Sequence, residues 1–349
     1  MIHSDIRQRL EEREESLSPY ATKSRWTRGR VTDETPSAMR TEFQRDRDRI
    51  TYSKAFRRLK HKTQVFIAPL GDHYVTRLTH TLEVSQIARS IARALNLNED
   101  LAEAISLGHD LGHTPFGHVG EEVLNALCSR EFSHNTQSLR IVESLENDGK
   151  GLNLTWEVRE GILKHSKSRQ DILHYSGDVP STLEAQICRL ADSVAYINHD
   201  ISDAMRAELI TESDLPQSAI AVLGESNSAR INTMVCDIID QSWEATGLID
   251  GASPTITMST EVLRAANSLR EFLFQNVYEA QAVESDTERA KQIIQCLYHH
   301  FMENPDHLPG EYIAIACNDR ERGVVDYIAG MTDNYALRIA EELGMVRPQ

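Results

Sequence analysis

The stretch GHDLGHTPFGH, residues 108–118, places three histidines and one aspartate within eleven residues. The whole chain has only 14 histidines in 349 residues, so this density stands out. Side chains at a helix end can project into a cleft, and a glycine such as Gly112 commonly ends a helix. Two interpretations are open: these imidazoles are polar groups near a glycine-rich turn, or they are the centre of a metal or proton-transfer site.

The sequence on either side of this stretch predicts helices. Apolar residues recur at helical spacing in residues 79–95, and a second helix is predicted over 99–112. Further helices are predicted over 121–129, 135–146, 156–166, 182–207, 260–279, 288–304 and 333–343. KTQVFIA (62–68) predicts a short strand, and 211–228 is expected to be a polar connection. The predicted fold class is all-α.

Length and composition indicate a globular chain. Its 349 residues can bury a sizeable core, and 40% hydrophobic with 26% charged residues is the profile of a soluble protein. No apolar run approaches the roughly 18 residues that a membrane span needs. The charged N-terminus lacks the apolar core of a signal peptide, and the five cysteines form no CxxC pair. We therefore expect a cytoplasmic protein without a membrane partner.

The net charge of −16 is unevenly distributed. Residues 23–62 carry thirteen Lys or Arg against five Asp or Glu, and the rest of the chain is strongly acidic. Such a basic stretch could be a site for an anion such as a phosphate ester. It could equally be a solvated face, or one that pairs with the acidic remainder across a subunit interface. The alternating run RDRDR (45–49) could be a salt-bridged helix face or a phosphate site.

Two further residues are candidate partners of the histidine-rich stretch. His80 opens the predicted helix 79–95, and Asp192 has Leu190 and Val194 as apolar neighbours. A buried aspartate is costly unless it is paired or bound to a cation. With His109 and Asp110 these residues would form a set of two histidines and two aspartates. Such mixed ligands favour Mn²⁺, Fe²⁺, Co²⁺ or Ni²⁺, with Mg²⁺ less suited to nitrogen.

Longer stretches resemble one family. The H…HD…D spacing is similar to that of the HD-domain superfamily of metal-dependent phosphohydrolases, although an isolated HD pair such as His199-Asp200 carries little weight. The chain is identified as a member of the deoxyguanosine triphosphate triphosphohydrolase (dNTPase) branch by RTEFQRDRDRITYSKAFRRLKHKTQVF (40–66), TRLTHTLEVSQIAR (76–89), GHDLGHTPFGHVGEE (108–122), HNTQSLRIVE (134–143) and DYIAGMTDNYAL (326–337). One departure is Arg130-Glu131, where the family commonly has glycines.

The resemblance implies a fold and a set of roles. The fold would be an HD-domain helical bundle with an extended N-terminal arm and additional C-terminal helices. The arm would cover 1–50, basic from about 23, and one domain would cover 51–349, with its metal core at about 76–205. The metal ligands would be His80, His109, Asp110 and Asp192. The catalytic residues would be His118 and Glu121, as the proton-transfer pair, with His113 and His134 near the phosphates.

The resemblance also implies substrate contacts. Arg77 and Lys164 would contact the triphosphate, and Gln64 the 3′-hydroxyl of the deoxyribose. Tyr196 and Asp200 would form the sugar pocket, and Arg58 is a further substrate-binding candidate. Asp192, Tyr196 and Asp200 are four residues apart in turn, so they share one helix face. His165 is expected to be either a satisfied polar residue or a substrate contact.

The implied reaction is hydrolysis of a deoxynucleoside triphosphate (dNTP), dGTP or dNTPs generally, to deoxynucleoside and inorganic triphosphate. The implied cofactor is a divalent ion, foremost Mn²⁺, and the implied assembly is a homo-oligomer, foremost a hexamer. A dNTP or single-stranded DNA could be an effector. The alternatives are an HD-type 5′-nucleotidase or phosphodiesterase, and a nucleotide-sensing or single-stranded-DNA-binding regulatory protein. The long basic segment argues against the first, and the His118–Glu121 pair argues against the second, because a sensor needs no proton shuttle.

Overall fold

The computed structural model describes residues 6–66, 73–166, 171–173, 179–249, 254–278, 281–317 and 319–344. Its α-helices are α1 (Ile6–Glu14), α2 (Glu42–Tyr52), α3 (Lys54–Arg58), α4 (Arg77–Ala94), α5 (Glu99–Gly108), α6 (Gly117–Leu127), α7 (His134–Arg140), α8 (Glu146–Gly149), α9 (Trp156–Lys164), α10 (Leu183–Arg206), α11 (Gln217–Leu223), α12 (Asn227–Gln241), α13 (Thr260–Leu273), α14 (Gln281–Glu303), α15 (Gly310–Ile315), α16 (Arg320–Ala329) and α17 (Asp333–Glu342). Short 3₁₀ and π turns extend or connect several of them.

The all-α prediction is confirmed, with three local corrections. The described part of the 62–68 segment forms no strand, only an isolated bridge between Thr63 and Thr76, and residues 67–68 lie outside the described residues. The 211–228 segment contains α11 and is not a plain connection. The helix predicted over 99–112 ends at Gly108, because the chain turns there and the Gly112 amide donates to Ser138 Oγ at 2.8 Å.

The chain divides into two compact units. Unit 1 comprises residues 1–51, 80–109 and 153–278, and unit 2 comprises 52–79, 110–152 and 279–349. Each unit is therefore assembled from distant parts of the sequence. None of the helices in the described residues is long and apolar enough to cross a bilayer.

Helix α10 is the centre of unit 1. It contacts α5, α9, α12 and α13, and most of its residues from Leu183 to Ala204 are buried. Side-chain caps start the main helices of this unit: Thr182 accepts from the Ala185 amide, and Asn98 accepts from the amides of Asp100 and Leu101. Burial of the apolar faces of these helices is the main source of their stability.

Two glycines let α5 and α9 approach closely. A Cβ at Gly161 would lie 2.6 Å from Ile105 Cδ1, and one at Gly108 would lie 2.6 Å from Ile162 Cδ1. The glycine that precedes His109 therefore serves helix packing. This close approach sets where α5 ends and where His109 begins the turn.

Unit 2 has its own apolar core. Helix α14 contacts α6, α16 and α17, and the buried cluster between them includes Leu124, Ile294, Leu297 and Ile328. The N-caps Asp319 and Thr332 start α16 and α17. This packing places the start of α6 and the turn between α16 and α17 in the same unit.

Within unit 1, most of the arginines in residues 23–50 form ion pairs with carboxylates. Arg30 pairs with Glu42 and Asp46, each at 2.5 Å, and Arg45 pairs with Glu34 at 2.7 Å. The remaining arginines of RDRDR also meet carboxylates, Arg47 with Asp48 and Arg49 with Glu34. The RDRDR run of α2 is therefore a salt-bridged helix face, which was one of the two interpretations of its alternating charges.

Candidate active site

Three predicted metal ligands lie together in unit 1. His80 Nε2 is 3.3 Å from Asp192 Oδ1, and the ring centroids of His80 and His109 are 5.5 Å apart. Both histidines are almost fully buried, with 1% and 2% exposure, and the Asp192 side chain is 18% exposed. Helix α4 supplies the first, the turn after α5 the second and α10 the third.

One backbone carbonyl fixes the tautomer of His109. Its Nδ1 lies 2.6 Å from the carbonyl oxygen of Ser106. A carbonyl oxygen only accepts hydrogen bonds, so Nδ1 must carry the proton and Nε2 keeps its lone pair. His165 is held in the same way by the Ile162 carbonyl at 2.7 Å, and its ring meets that of His109 edge-on at 4.9 Å. His165 is thus a buried neighbour of a predicted ligand.

A second group of polar residues contacts His80 at its Nδ1. His199 Nε2 is 2.9 Å from His80 Nδ1, and His199 Nδ1 is 2.8 Å from Asp200 Oδ1. The hydroxyl of Tyr278 donates to the other carboxylate oxygen of Asp200. Burial disfavours protonation of His199, but the Asp200 carboxylate outweighs it and raises the pKa of His199. This chain of contacts fixes the orientation of the His80 ring.

In unit 2, Asp110 is the centre of a charged cluster. Arg77 is 1% exposed, and its Nη1 donates to Asp110 Oδ2 at 2.7 Å. His113 Nε2 lies 3.3 Å from Asp110 Oδ1, and the His113 ring stacks on that of His134 at 4.0 Å between centroids. Burial, followed by the Arg77 charge, holds the pKa of His113 well below its usual value. This shift favours the neutral form of the His113 ring.

Glu121 binds two histidines. Its Oε1 is 2.9 Å from His134 Nδ1, and its Oε2 is 3.2 Å from His118 Nδ1. Burial alone would raise the pKa of Glu121, but the three nearby histidines lower it far below its usual range. Burial opposes protonation of His134, and the Glu121 carboxylate outweighs that and raises its pKa. The His118 side chain is 70% exposed and is the outward member of the group.

The other predicted substrate residues have varied surroundings. In unit 1, Lys164 forms an ion pair with Glu160 at 3.0 Å. The Tyr196 side chain hydrogen-bonds with Arg270, and burial raises the pKa of Tyr196. In unit 2, Arg58 donates to the Gly330 carbonyl at 3.0 Å. Asp200 is buried against His199 and Tyr278, as described above, so its two oxygens are already engaged.

Four buried side-chain atoms of unit 2 make no hydrogen bond with any described residue: Gln64 Oε1, Arg77 Nε, His113 Nδ1 and Arg322 Nε. Buried polar groups are nearly always hydrogen-bonded in native proteins, so each such atom calls for a partner. Gln64, Arg77 and His113 belong to the predicted substrate and catalytic set.

From the sequence alone, no role was assigned to His199 and the role of His165 was left open. His199 lies seven residues after Asp192, which is two helical turns along the same face of α10, and this spacing could have indicated its place beside His80. His165 follows α9 and carries no comparable signal. Its position beside His109 depends on how closely α5 and α9 approach.

The donor sets in each unit suit a divalent ion. Unit 1 contributes two buried imidazoles and a carboxylate, and in unit 2 ligand atoms of Asp110, His113 and His134 lie within 4.8 Å of one another. His109 and Asp110 are consecutive residues, so a single peptide bond joins the two donor sets. Imidazole with carboxylate is a ligand combination that first-row divalent metals bind well. The residues present therefore fit a divalent metal.

Comparison with known proteins agrees with this chemistry. The HD domain family matches residues 77–197, and the phosphohydrolase-associated domain family matches residues 256–342. A deoxyguanosinetriphosphate triphosphohydrolase-like protein of Caldanaerobacter subterraneus subsp. tengcongensis is 56% identical over 333 residues, 95% of this chain and 93% of that protein. Proteins of the same name from Desulfatibacillum aliphaticivorans and Clostridium tetani are 49% and 46% identical, each over 95% of this chain and 96% and 94% of their own lengths. The chain therefore belongs to the deoxyguanosinetriphosphate triphosphohydrolase-like family of HD-domain hydrolases.

Proposed function

We propose that the protein hydrolyses deoxynucleoside triphosphates to deoxynucleoside and inorganic triphosphate. The observation that carries the proposal is that buried atoms of Gln64, Arg77 and His113 have no hydrogen-bond partner among the described residues. An amide oxygen accepts from a hydroxyl, a guanidinium nitrogen donates to a phosphate oxygen, and an imidazole nitrogen can do either according to its tautomer, so the three groups match the hydroxyl and phosphate oxygens of a nucleotide. The family relationship supports the same substrate class.

His80, His109, Asp110 and Asp192 would hold the divalent ion, with Mn²⁺ the first candidate and Mg²⁺, Fe²⁺, Co²⁺ and Ni²⁺ the others. When bound, such an ion polarises a phosphoryl oxygen and lowers the pKa of a bound water. The protein's own contribution is to hold these ligands in place beforehand. The Ser106 carbonyl sets the tautomer of His109, and the contact with His199 orients the ring of His80.

The remaining histidines would handle protons and phosphate charge. Glu121 orients His118, whose exposed ring would protonate the departing 5′ oxygen. The same carboxylate favours the protonated form of His134, which would offset charge on the triphosphate. Arg77 and Lys164 would add further positive charge, after exchanging part of their contacts with Asp110 and Glu160 for phosphate oxygens.

Tyr196 and Asp200 would form the sugar pocket, with the Tyr196 ring against C2′ so that a ribose hydroxyl has no room, and Gln64 would contact the 3′-hydroxyl. We expect Tyr196→Ala to raise the ratio of GTP to dGTP turnover, while binding of both nucleotides weakens because ring contacts are lost. Tyr196→Phe, which keeps the ring, is the control and should keep the wild-type ratio. An unaltered ratio in Tyr196→Ala would refute the steric gate.

Product analysis tests the proposed reaction. The protein is incubated with Mn²⁺ and each of the four dNTPs, and in parallel with the corresponding monophosphates, and chromatography separates triphosphate, pyrophosphate and phosphate. We expect deoxynucleoside and triphosphate in equal amounts. Phosphate release from nucleoside monophosphates would instead indicate the 5′-nucleotidase alternative, and binding without turnover would indicate the nucleotide-sensing alternative.

Isotope labelling locates the bond that breaks. In H₂¹⁸O, attack at the α-phosphorus places the label in triphosphate, whereas attack at C5′ would place it in the deoxynucleoside.

Asp192→Ala should abolish both turnover and metal content, because the remaining ligands cannot hold the ion well. His299→Ala, which removes an exposed histidine, should change neither. Wild-type metal content in Asp192→Ala would contradict the ligand assignment.

A further inference from the structure

Lys62 is a buried lysine that none of the roles above uses. It is 2% exposed, and its Nζ donates to the carbonyl of His113 and, at 2.8 Å, to the carbonyl of Ala329. Burial, reinforced by the nearby Arg58 charge, lowers the pKa of Lys62 to about 7. A buried amine is costly, and here the cost is offset by hydrogen bonds to two distant parts of unit 2. One is the loop that carries His113, and the other is the end of α16.

Asp333 makes the complementary contacts. It is 7% exposed and lies in the first turn of α17. Its Oδ1 accepts from the amide of Phe116 at 3.0 Å, and its Oδ2 accepts from the amide of Thr63 at 2.8 Å. Both oxygens of a buried carboxylate are therefore bound to main-chain amides.

These contacts hold both ends of one short loop. The loop, residues 113–116, has its first carbonyl on Lys62 and its last amide on Asp333. Phe116 has φ 61°, a left-handed conformation that non-glycine residues rarely adopt and that surrounding contacts must stabilise. The loop carries His113 at its start and leads directly into α6, which carries His118 and Glu121.

We propose that Lys62 and Asp333 are positioning residues that hold the loop 113–116, and with it His113 and the start of α6, in their working geometry. The turn between α16 and α17, inside the segment matched by the phosphohydrolase-associated domain, thereby becomes part of the catalytic apparatus. The catalytic part of this inference rests on the proposed function.

Lys62→Met tests the inference, because methionine keeps most of the volume and removes the amine. Lys60→Met, two residues away at an exposed position, is the matched control. Hydrogen–deuterium exchange of peptides that span 113–118 should be faster in Lys62→Met than in wild type, and unchanged in Lys60→Met. Displacement of catalytic groups by about 1 Å can cost roughly 10²-fold in rate, so we expect kcat to fall by about that factor. Metal content and KM should stay within a few-fold of wild type.

Asp333→Asn is the second variant, in case Lys62→Met does not fold. Asparagine keeps the volume but has a single acceptor oxygen, so one of the two amides loses its partner. Faster exchange at 113–118 with reduced kcat in either variant supports the inference. A lower Tm with wild-type exchange in the loop and wild-type kcat at a temperature where the variant is folded would overturn it. If the wild type hydrolyses no dNTP, the proposed function fails, while loop exchange still decides whether Lys62 and Asp333 hold the loop.

Discussion

Glu121 orients two histidines that differ in their exposure to solvent. His134 is buried and close, and His118 is exposed and slightly farther away. A single carboxylate thus supports one imidazole suited to holding positive charge and another suited to delivering a proton. The proposed roles of the two rings differ because their burial differs, since both rings face the same carboxylate.

The first prediction concerns His118. We expect His118→Ala to bind metal and dNTP nearly as the wild type does and to turn over about 10²–10⁴-fold more slowly, the range that a positioned general acid supplies. Single-turnover kinetics with saturating dNTP, alongside calorimetric binding, measures the two effects separately. Glu121→Gln should lose part of the rate. A wild-type rate in His118→Ala would remove this residue from the mechanism.

A second prediction concerns His199. Its contact with His80 is of the kind that orients a metal ligand, and loss of such a contact typically lowers metal affinity by about 10–100-fold. We expect His199→Ala to show this loss in a metal-binding titration carried out without nucleotide. His299→Ala is again the control. Wild-type metal affinity in His199→Ala would show that the His80 ring needs no such support.

At the scale of the elements, the crossing of α5 and α9 helps to determine where His109 lies. The side chains of Ile105 and Ile162 fill the positions that a Cβ would need at Gly161 and Gly108. His109 follows the end of α5 and His165 the end of α9, so the edge-on contact of their rings depends on this crossing. Helix packing and site geometry are therefore linked in unit 1.

The third prediction follows from this crossing. A methyl group at Gly161 would meet three carbons of Ile105 at 2.6–2.9 Å, so the helices must separate or the isoleucine must leave its preferred conformation. We expect Gly161→Ala to lower the free energy of unfolding by about 1–3 kcal/mol, the usual cost of overpacking. Denaturant unfolding measures it. Gly310→Ala, where a Cβ meets nothing within 4 Å, should change it by less than about 0.5 kcal/mol.

At the scale of the whole molecule, each unit draws on several distant stretches of chain. Unit 2 combines the middle of the chain, which contains HTPFGH (113–118), with the C-terminal helices α14–α17, which is why a C-terminal aspartate can hold a loop near residue 116. Several large apolar side chains are exposed in this single chain, among them Trp26, Val31 and Leu248. Such side chains are compatible with burial in an assembly.

The fourth prediction is that the protein is a homo-oligomer, with a hexamer the first candidate. Light scattering should then give a mass about six times that of the 39.4 kDa chain. Activity measured across a dilution series should fall as the assembly dissociates, if neighbouring chains complete the site. A fully active monomer would refute the assembly.

The sequence by itself determined the fold class and the family, and it predicted most of the residues of the candidate site. Helical periodicity is local, so α4, α9, α10 and α17 were predicted within a few residues. The HD spacing and the surrounding stretches predicted His80, His109, Asp110 and Asp192 as metal ligands, because the chemistry of a ligand resides in its residue type. The short strand at 62–68 was wrong, since β-branched residues there indicated a propensity that the described backbone does not follow.

Only the tertiary structure decided which polar groups support the site. His199 and Lys62 are ordinary residues in the sequence, and their roles arise from contacts with residues that lie 119 and 267 positions away. The same is true of the basic stretch 23–62, in which several arginines, Arg30 and Arg45 among them, proved to be paired with carboxylates. Residue type and spacing report what a side chain can do. Burial and neighbours decide what it does, and both depend on packing between segments that are far apart in the chain.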